Sequence, residues 1–139
     1  MRKKLNCIFL IDDDSEDNHF HQIVIRDMNI TSTIEIAQNG LEALALLTKP
    51  NHVAPELIFL DINMPKMNGW EFLEAYQKLA SVQKAKVIVV MLSTSINPSD
   101  KKRATQFVEI TSFNSKPLTE EIINEILRKN FPEYIELPT

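Results

Sequence analysis

Leu57-Ile58-Phe59-Leu60-Asp61-Ile62-Asn63-Met64-Pro65-Lys66-Met67-Asn68-Gly69 opens on four apolar residues in a row and then places a carboxylate. The run does not alternate with polar residues. A short unbroken apolar run rich in branched side chains is the pattern of a strand buried on both faces, as in a parallel sheet. An acid where such a strand stops needs a reason to be there.

Working outward, two further runs have the same character. Cys7-Ile-Phe-Leu-Ile11 ends in Asp12-Asp13-Asp14, and Val87-Ile-Val-Val-Met-Leu92 ends in Ser93-Thr94-Ser95. Two weaker strand candidates are Thr33 to Ala37 and Phe107 to Thr111. The first alternates, which places it at a sheet edge. Helical spacing fills the intervals. Ser15 to Met28 carries Phe20, Ile23, Val24 and Met28, and Gly40 to Leu47 follows the cap Asn39. Trp70 to Leu79 carries Trp70, Leu73, Tyr76 and Leu79. Pro98 to Ala104 is a shorter helix, and Thr119 caps a helix through Leu127. Strand and helix thus alternate five times. That order predicts an α/β, doubly wound parallel sheet with helices on both faces.

The 139 residues suffice for one compact domain with a core. Hydrophobic residues make up 44% and charged residues 24%, the balance of a soluble globular protein. A net charge of −4 gives no footprint for nucleic acid. The apolar stretch ending at Asp12 is too short for a signal core or a membrane span, and the single cysteine, Cys7, reads as a buried small hydrophobe. Together these predict a cytoplasmic protein with no membrane partner. We expect a domain over residues 1–130 and a tail over 131–139.

In a doubly wound sheet the functional crevice lies beyond the carboxyl ends of the strands. Asp12, Asp13, Asp61, Ser93 and Lys116 should therefore converge. The acids would repel one another without a counter-charge, and a hard divalent cation with oxygen ligands, magnesium, answers that. Asp14 or Ser15 can be assigned to capping the next helix, but capping does not account for Asp61. Lys116 alone would be a solvated lysine and Ser93 alone a turn hydroxyl. Jointly with a metal, they suit charge stabilisation on a phosphoryl group moving onto a carboxylate.

On the segments Phe9-Leu-Ile-Asp12-Asp13-Asp14, Leu57 to Gly69 and Phe113-Asn-Ser-Lys116-Pro117-Leu118, the chain resembles the receiver domain of bacterial two-component response regulators, over Leu5 to about Asn130. The resemblance implies a flavodoxin-like (βα)5 sandwich with a parallel five-stranded sheet in the order 2-1-3-4-5. It implies Asp61 as phosphoacceptor, with Asp12, Asp13, Asp61 and the Asn63 carbonyl holding Mg2+. Ser93 is the switch hydroxyl, Lys116 is the phosphate-pairing lysine, and the Lys116–Pro117 bond is cis. Phe113 stands at an aromatic switch position that is often Tyr. Thr94 stands where Ala or Gly is common, and its bulk would narrow access to the phosphorylated carboxylate.

The expected partners are a histidine kinase or histidine phosphotransfer protein and a downstream protein target. The expected output is a protein contact or onward phosphotransfer, since residues 131–139 are too few for a DNA-binding module. The chain is expected to assist its own phosphorylation and dephosphorylation without being an enzyme on a separate substrate. A phosphohydrolase using Asp61 as nucleophile is the alternative from the enzyme class, but its usual second acid, two residues on, is here Asn63. A degenerate receiver that binds without phosphorylation is set aside by the retention of all five polar residues. Pro65 and Gly69 are expected to shape the loop after Asp61, the glycine through unusual dihedrals. His19, His21 and His52 are read as surface or helix-face residues. Lys101-Lys102-Arg103 is read as a solvated helix face, with partner docking as a minor alternative.

Overall fold

In the computed structural model, which describes residues 4–79, 89–93 and 98–132, five strands and five helices alternate along the chain. They are β1 (Ile8–Ile11), α1 (Ser15–Met28), β2 (Ile34–Ala37), α2 (Gly40–Leu47), β3 (Leu57–Asp61), α3 (Gly69–Tyr76), β4 (Val89–Ser93), α4 (Pro98–Ala104), β5 (Ile110–Ser115) and α5 (Glu120–Asn130). The sheet is parallel throughout, in the order β2-β1-β3-β4-β5. Among the described residues no helix is long and apolar enough to cross a membrane.

The unbroken apolar runs reflect burial on two sides. Phe9, Ile11, Ile58 and Leu60 face a core layer shared with Ala43 and Leu47 of α2 and Trp70, Phe72 and Leu73 of α3. The alternate residues Ile8, Leu10, Leu57 and Phe59 face a second layer with Ile25 of α1 and Ile123, Ile126 and Leu127 of α5. Successive side chains of a strand point to opposite faces, so β1 and β3 each feed both layers. Strand β2 lies at the edge, as its alternation predicts, and is only half buried.

Polar side chains set the helix starts. Asp14 accepts from the amides of Glu16 and Asp17, Asn39 from Glu42, and Thr119 from Ile122. Asn68 and Glu71 form a reciprocal capping box at the start of α3. Asn29, in the left-handed region at φ 55°, ends α1. Phe131, placed in the tail on sequence, is the C-cap of α5 and is buried in the second layer.

Four expectations are corrected. Strand β5 runs over Ile110–Ser115 rather than 107–111, because Phe107 lies in the turn after α4, where it stacks on Trp70 in the core. The buried stripe of α1 is Asn18, His21 and Ile25, whereas Phe20 and Ile23 are exposed. His21 is thus no surface residue. Gly69 has no positive φ; that conformation falls on Lys66, at φ 65°. The glycine is required by close approach, since a Cβ there would meet the Asp61 carbonyl oxygen at 2.5 Å. Arg103, for its part, lies 4.9 Å from the centre of the Trp70 ring and 3.9 Å from Glu74, on a face it shares with α3.

Candidate functional site

Parallel strands deliver all their carboxyl ends to one edge. There Asp12 follows β1, Asp61 closes β3, Ser93 closes β4 and Lys116 follows β5. The register aligns them: Ile11 pairs with Leu60, Asp61 with Leu92 and Ser93 with Ser115. Asp12 and Asp61 are buried, while Asp13 is exposed. Oxygen atoms of the three carboxylates lie within 4.8 Å of one another, and no other trio of acid, histidine or cysteine side chains converges this way among the described residues.

The backbone fixes each acid. The Asp12 amide donates to Ala37 of the edge strand at 3.0 Å, and its Oδ1 accepts from the Asp14 amide at 3.0 Å. Asn18 donates its side-chain amide to the Asp12 carbonyl at 2.8 Å. Beyond Asp61, the Ile62 amide donates to Leu92 and the Gly69 amide to Ile62, at 3.3 and 2.8 Å. The loop from Met64 to Asn68 is thereby folded back onto the strand end.

Lys116 supplies the counter-charge. Its Nζ is 2.6 Å from Asp12 Oδ2, 3.1 Å from Asp17 Oδ2 and 3.5 Å from Asp61 Oδ1. The Lys116–Pro117 bond is cis, as the resemblance implies. Burial lowers the affinity of the Lys116 ammonium for its proton, but the surrounding carboxylates, Asp12 first, outweigh this and leave it raised. Burial, reinforced by the charge of Asp12, pushes Asp61 up to about 7, with Lys116 pulling the other way. In the absence of a cation the cluster therefore holds an excess of negative charge that Lys116 only partly offsets.

A cavity of about 600 Å3 opens over these groups, lined by Asp13 to Asp17, Asp61, Asn63 and Lys116. The Asp12 Oδ2 atom is buried without an aligned hydrogen-bond donor, its contact with Lys116 being one of charge. Three converging carboxylates that share a single ammonium suit a hard divalent cation. Asp12, Asp13 and Asp61 are the side chains that could hold it, with Asn63 at the cavity wall.

The remaining expected residues are placed less closely. Ser93 is at the strand end by its backbone, and Thr94 lies outside the described residues. Phe113, opposite Met91 in the register, packs half-buried against the layer holding Trp70 and Phe107. Sequence reasoning missed Asp17, Asn18 and His21. Asn18 and His21 fall three apart on the inward face of α1, and His21 Nε2 accepts from the Leu118 amide at 3.2 Å. The available signal was the polar triplet before Ile25 at helical spacing, which the apolar Phe20 and Ile23 masked.

The sequence that builds this arrangement is matched by a family model. The response regulator receiver domain model covers residues 8–128. The chain belongs to the response regulator receiver family. Among receivers of known structure, a two-component response regulator from Cytophaga hutchinsonii superposes with a TM-score of 0.80 at 31% identity, covering 91% of this chain and 97% of that one. One from Legionella pneumophila gives 0.76 at 31% identity over 89% and 96%. Response regulator Rcp1 of a Synechocystis strain is 33% identical over 97 residues, 67% of this chain and 65% of that protein. This receiver spans 15% to 65% of the lengths of the first curated relatives that it matches. The flavodoxin-like fold and the membership in two-component signalling stand on these likenesses together with the sheet order.

Proposed function

We propose that this receiver is a phospho-accepting switch in which Asp61 takes a phosphoryl group from a histidine kinase or a histidine phosphotransfer protein. The observation that carries the reading is the setting of Asp61. It stands at the end of a buried strand, at the floor of an open cavity, with Lys116 3.5 Å away and two further acids within metal-ligating reach.

The step balances simply. An Asp61 carboxylate oxygen forms a bond to phosphorus, the phosphorus–nitrogen bond to the donor imidazole breaks, and the electron pair returns to that nitrogen. Asp12, Asp13 and Asp61, with the Asn63 carbonyl, would hold Mg2+, whose charge would offset that of the incoming phosphoryl oxygens. Lys116 pairs with one of those oxygens as a point charge, and the Ser93 hydroxyl donates to another. Asp61 must be ionised to attack, so cation binding and Lys116 both favour the reactive form over the proton that burial favours.

The new dianion biases a two-state element, drawing in Ser93 and shifting Phe113 and the face around residues 97–117. The output is a protein contact or onward phosphotransfer, in the cytoplasm; the net charge of −4 argues against nucleic acid as the target. The chain has no separate substrate in this reading. Asn63, an amide at the cavity wall where a phosphohydrolase would carry a second acid, supports a switch over a hydrolase. Beryllofluoride with magnesium, a mimic of the phosphoryl group, tests the reading. It should perturb the NMR spectrum of the wild type and leave Asp61→Asn unchanged, and an equal response from both would refute it.

A further inference from the structure

Lys116 lies within ion-pair distance of three carboxylates, those of Asp12, Asp17 and Asp61. Of the three, Asp61 is the most distant, at 3.5 Å, and Asp17 is nearer, at 3.1 Å. The contact with Asp17 has hydrogen-bond geometry. Asp12 is tied into the backbone through the Asp14 amide and belongs to the acidic cluster at the strand ends. Asp17 does not belong to that cluster. It stands in the first turn of α1, where the helix dipole favours a negative charge, and its carboxylate lines the cavity mouth with about a third of its surface exposed.

We infer that Asp17 is a positioning residue that restrains Lys116 on the α1 side of the cavity and so opposes acceptance of a phosphoryl group at Asp61. The inference rests on the phosphoacceptor reading and adds a residue that sets its threshold. Two effects act in the same direction. A phosphoryl group on Asp61 increases the demand for Lys116, which must then loosen its hydrogen bond to Asp17. A part-exposed carboxylate at the mouth also repels an incoming dianion, whereas a neutral Asn would hold Lys116 more weakly and would not repel the dianion.

The test is a beryllofluoride titration at saturating magnesium, read by NMR, on wild type, Asp17→Asn, Asp17→Ser and Asp17→Glu, with Asp61→Asn in parallel. Asp17→Asn and Asp17→Ser are expected to bind beryllofluoride roughly three- to fivefold more tightly, the scale of one part-exposed ion pair. Asp17→Glu, which restores the charge, should return toward the wild-type value. In the absence of beryllofluoride, the two neutral variants should melt at or below the wild-type temperature. A merely structural role would weaken stability and binding together; the predicted movements are opposite. Unchanged or weaker binding by both neutral variants, beside a wild type that binds, overturns the role of Asp17 alone. A wild type that responds no more than Asp61→Asn overturns the phosphoacceptor reading and this inference with it.

Discussion

His21 accepts a hydrogen bond from the Leu118 amide at 3.2 Å, joining two residues 97 positions apart in the chain. The bond fixes the inward face of α1 to the turn that follows Lys116-Pro117. Its neighbour Asn18, donating to the Asp12 carbonyl, fixes the same helix to the end of β1. One helix thus braces both halves of the charged cluster. Removing the acceptor leaves a buried amide unpaired, so His21→Ala is expected to cost about 1–3 kcal/mol of stability in chemical denaturation. His21→Gln, which keeps an acceptor, should cost less.

The same bond carries a pH dependence. Burial holds His21 below its ordinary range, against the opposing charges of Asp12 and Asp17. The unfolded chain therefore binds this proton more readily than the folded one. Stability due to His21 is complete above the ordinary histidine range and is lost as pH falls through that range toward the lowered folded value. The difference in unfolding free energy between wild type and His21→Gln should narrow across that interval as the pH is lowered. A difference that is flat from about pH 7 to pH 5 would contradict this account.

Asp61 has the opposite sign. Its folded value is pushed up to about 7, chiefly by burial, from an ordinary value of 3.8. The folded protein holds this proton more tightly than the unfolded chain, so the contribution of Asp61 is most favourable below the ordinary carboxylate range and declines as pH rises toward about 7. Without divalent metal, Asp61→Asn should exceed wild type in stability near pH 8 by up to about 4 kcal/mol and match it near pH 4. Saturating magnesium should stabilise wild type and reduce that gap. Urea denaturation at the two pH values, with and without magnesium, measures both effects.

Gly69 lies against the end of β3 through backbone alone. A Cβ there would stand 2.5 Å from the Asp61 carbonyl oxygen and 3.0 Å from Ile62 Cα, and neither atom belongs to a side chain that can rotate away. Gly69→Ala is expected to destabilise by about 1–3 kcal/mol through overpacking and to weaken beryllofluoride binding by displacing Asp61. At Gly40 the obstructing atoms belong to the flexible Met67 side chain, so Gly40→Ala should cost less. Thermal unfolding of the two variants side by side provides the comparison.

Trp70 is the single tryptophan of the chain, buried between Phe107, at 5.9 Å, and the Arg103 guanidinium. Arg103→Ala removes the cation above the ring. It should cost about 0.5–1 kcal/mol and alter tryptophan emission without altering magnesium affinity. Urea denaturation reads the stability cost, and fluorescence during a magnesium titration reads the emission and the affinity.

Much of this architecture is legible in the sequence because burial on two faces leaves unbroken apolar runs, as at Ile8 to Ile11 and Leu57 to Leu60. Asn39 and Thr119 announced their helices for an equally local reason, the acceptor that a first turn needs. Strand β5 was misplaced because an edge strand is half exposed and here reads Ile-Thr-Ser-Phe-Asn-Ser, so the stronger apolar signal of Phe107 pointed too early. The acidic cluster could be assembled because each acid follows a recognisable strand end, whereas Lys116 was placed by the Phe113-Asn-Ser-Lys116-Pro117-Leu118 segment of the resemblance rather than by its strand. Asp17, Asn18 and His21 could not. Their roles depend on how α1 rotates against the sheet, and a polar inward face at its start contradicts the apolar periodicity that would normally set that rotation. Gly69 illustrates a subtler limit, since a close approach between backbones leaves no mark on the sequence beyond the glycine itself.

The most direct measurement is to locate the phosphoryl group itself. The protein, with magnesium, should be incubated with a phosphorylated histidine kinase or phosphotransfer protein and digested for mass spectrometry under conditions that preserve acyl phosphates. A kinase donor is preferable to a small one because the bulk of Thr94 is expected to restrict small donors. The account predicts a single phosphoryl group on the peptide containing Asp61, lost in Asp61→Asn and strongly reduced in Lys116→Ala. Phosphorylation at another residue, or undiminished phosphorylation of Asp61→Asn, would contradict it.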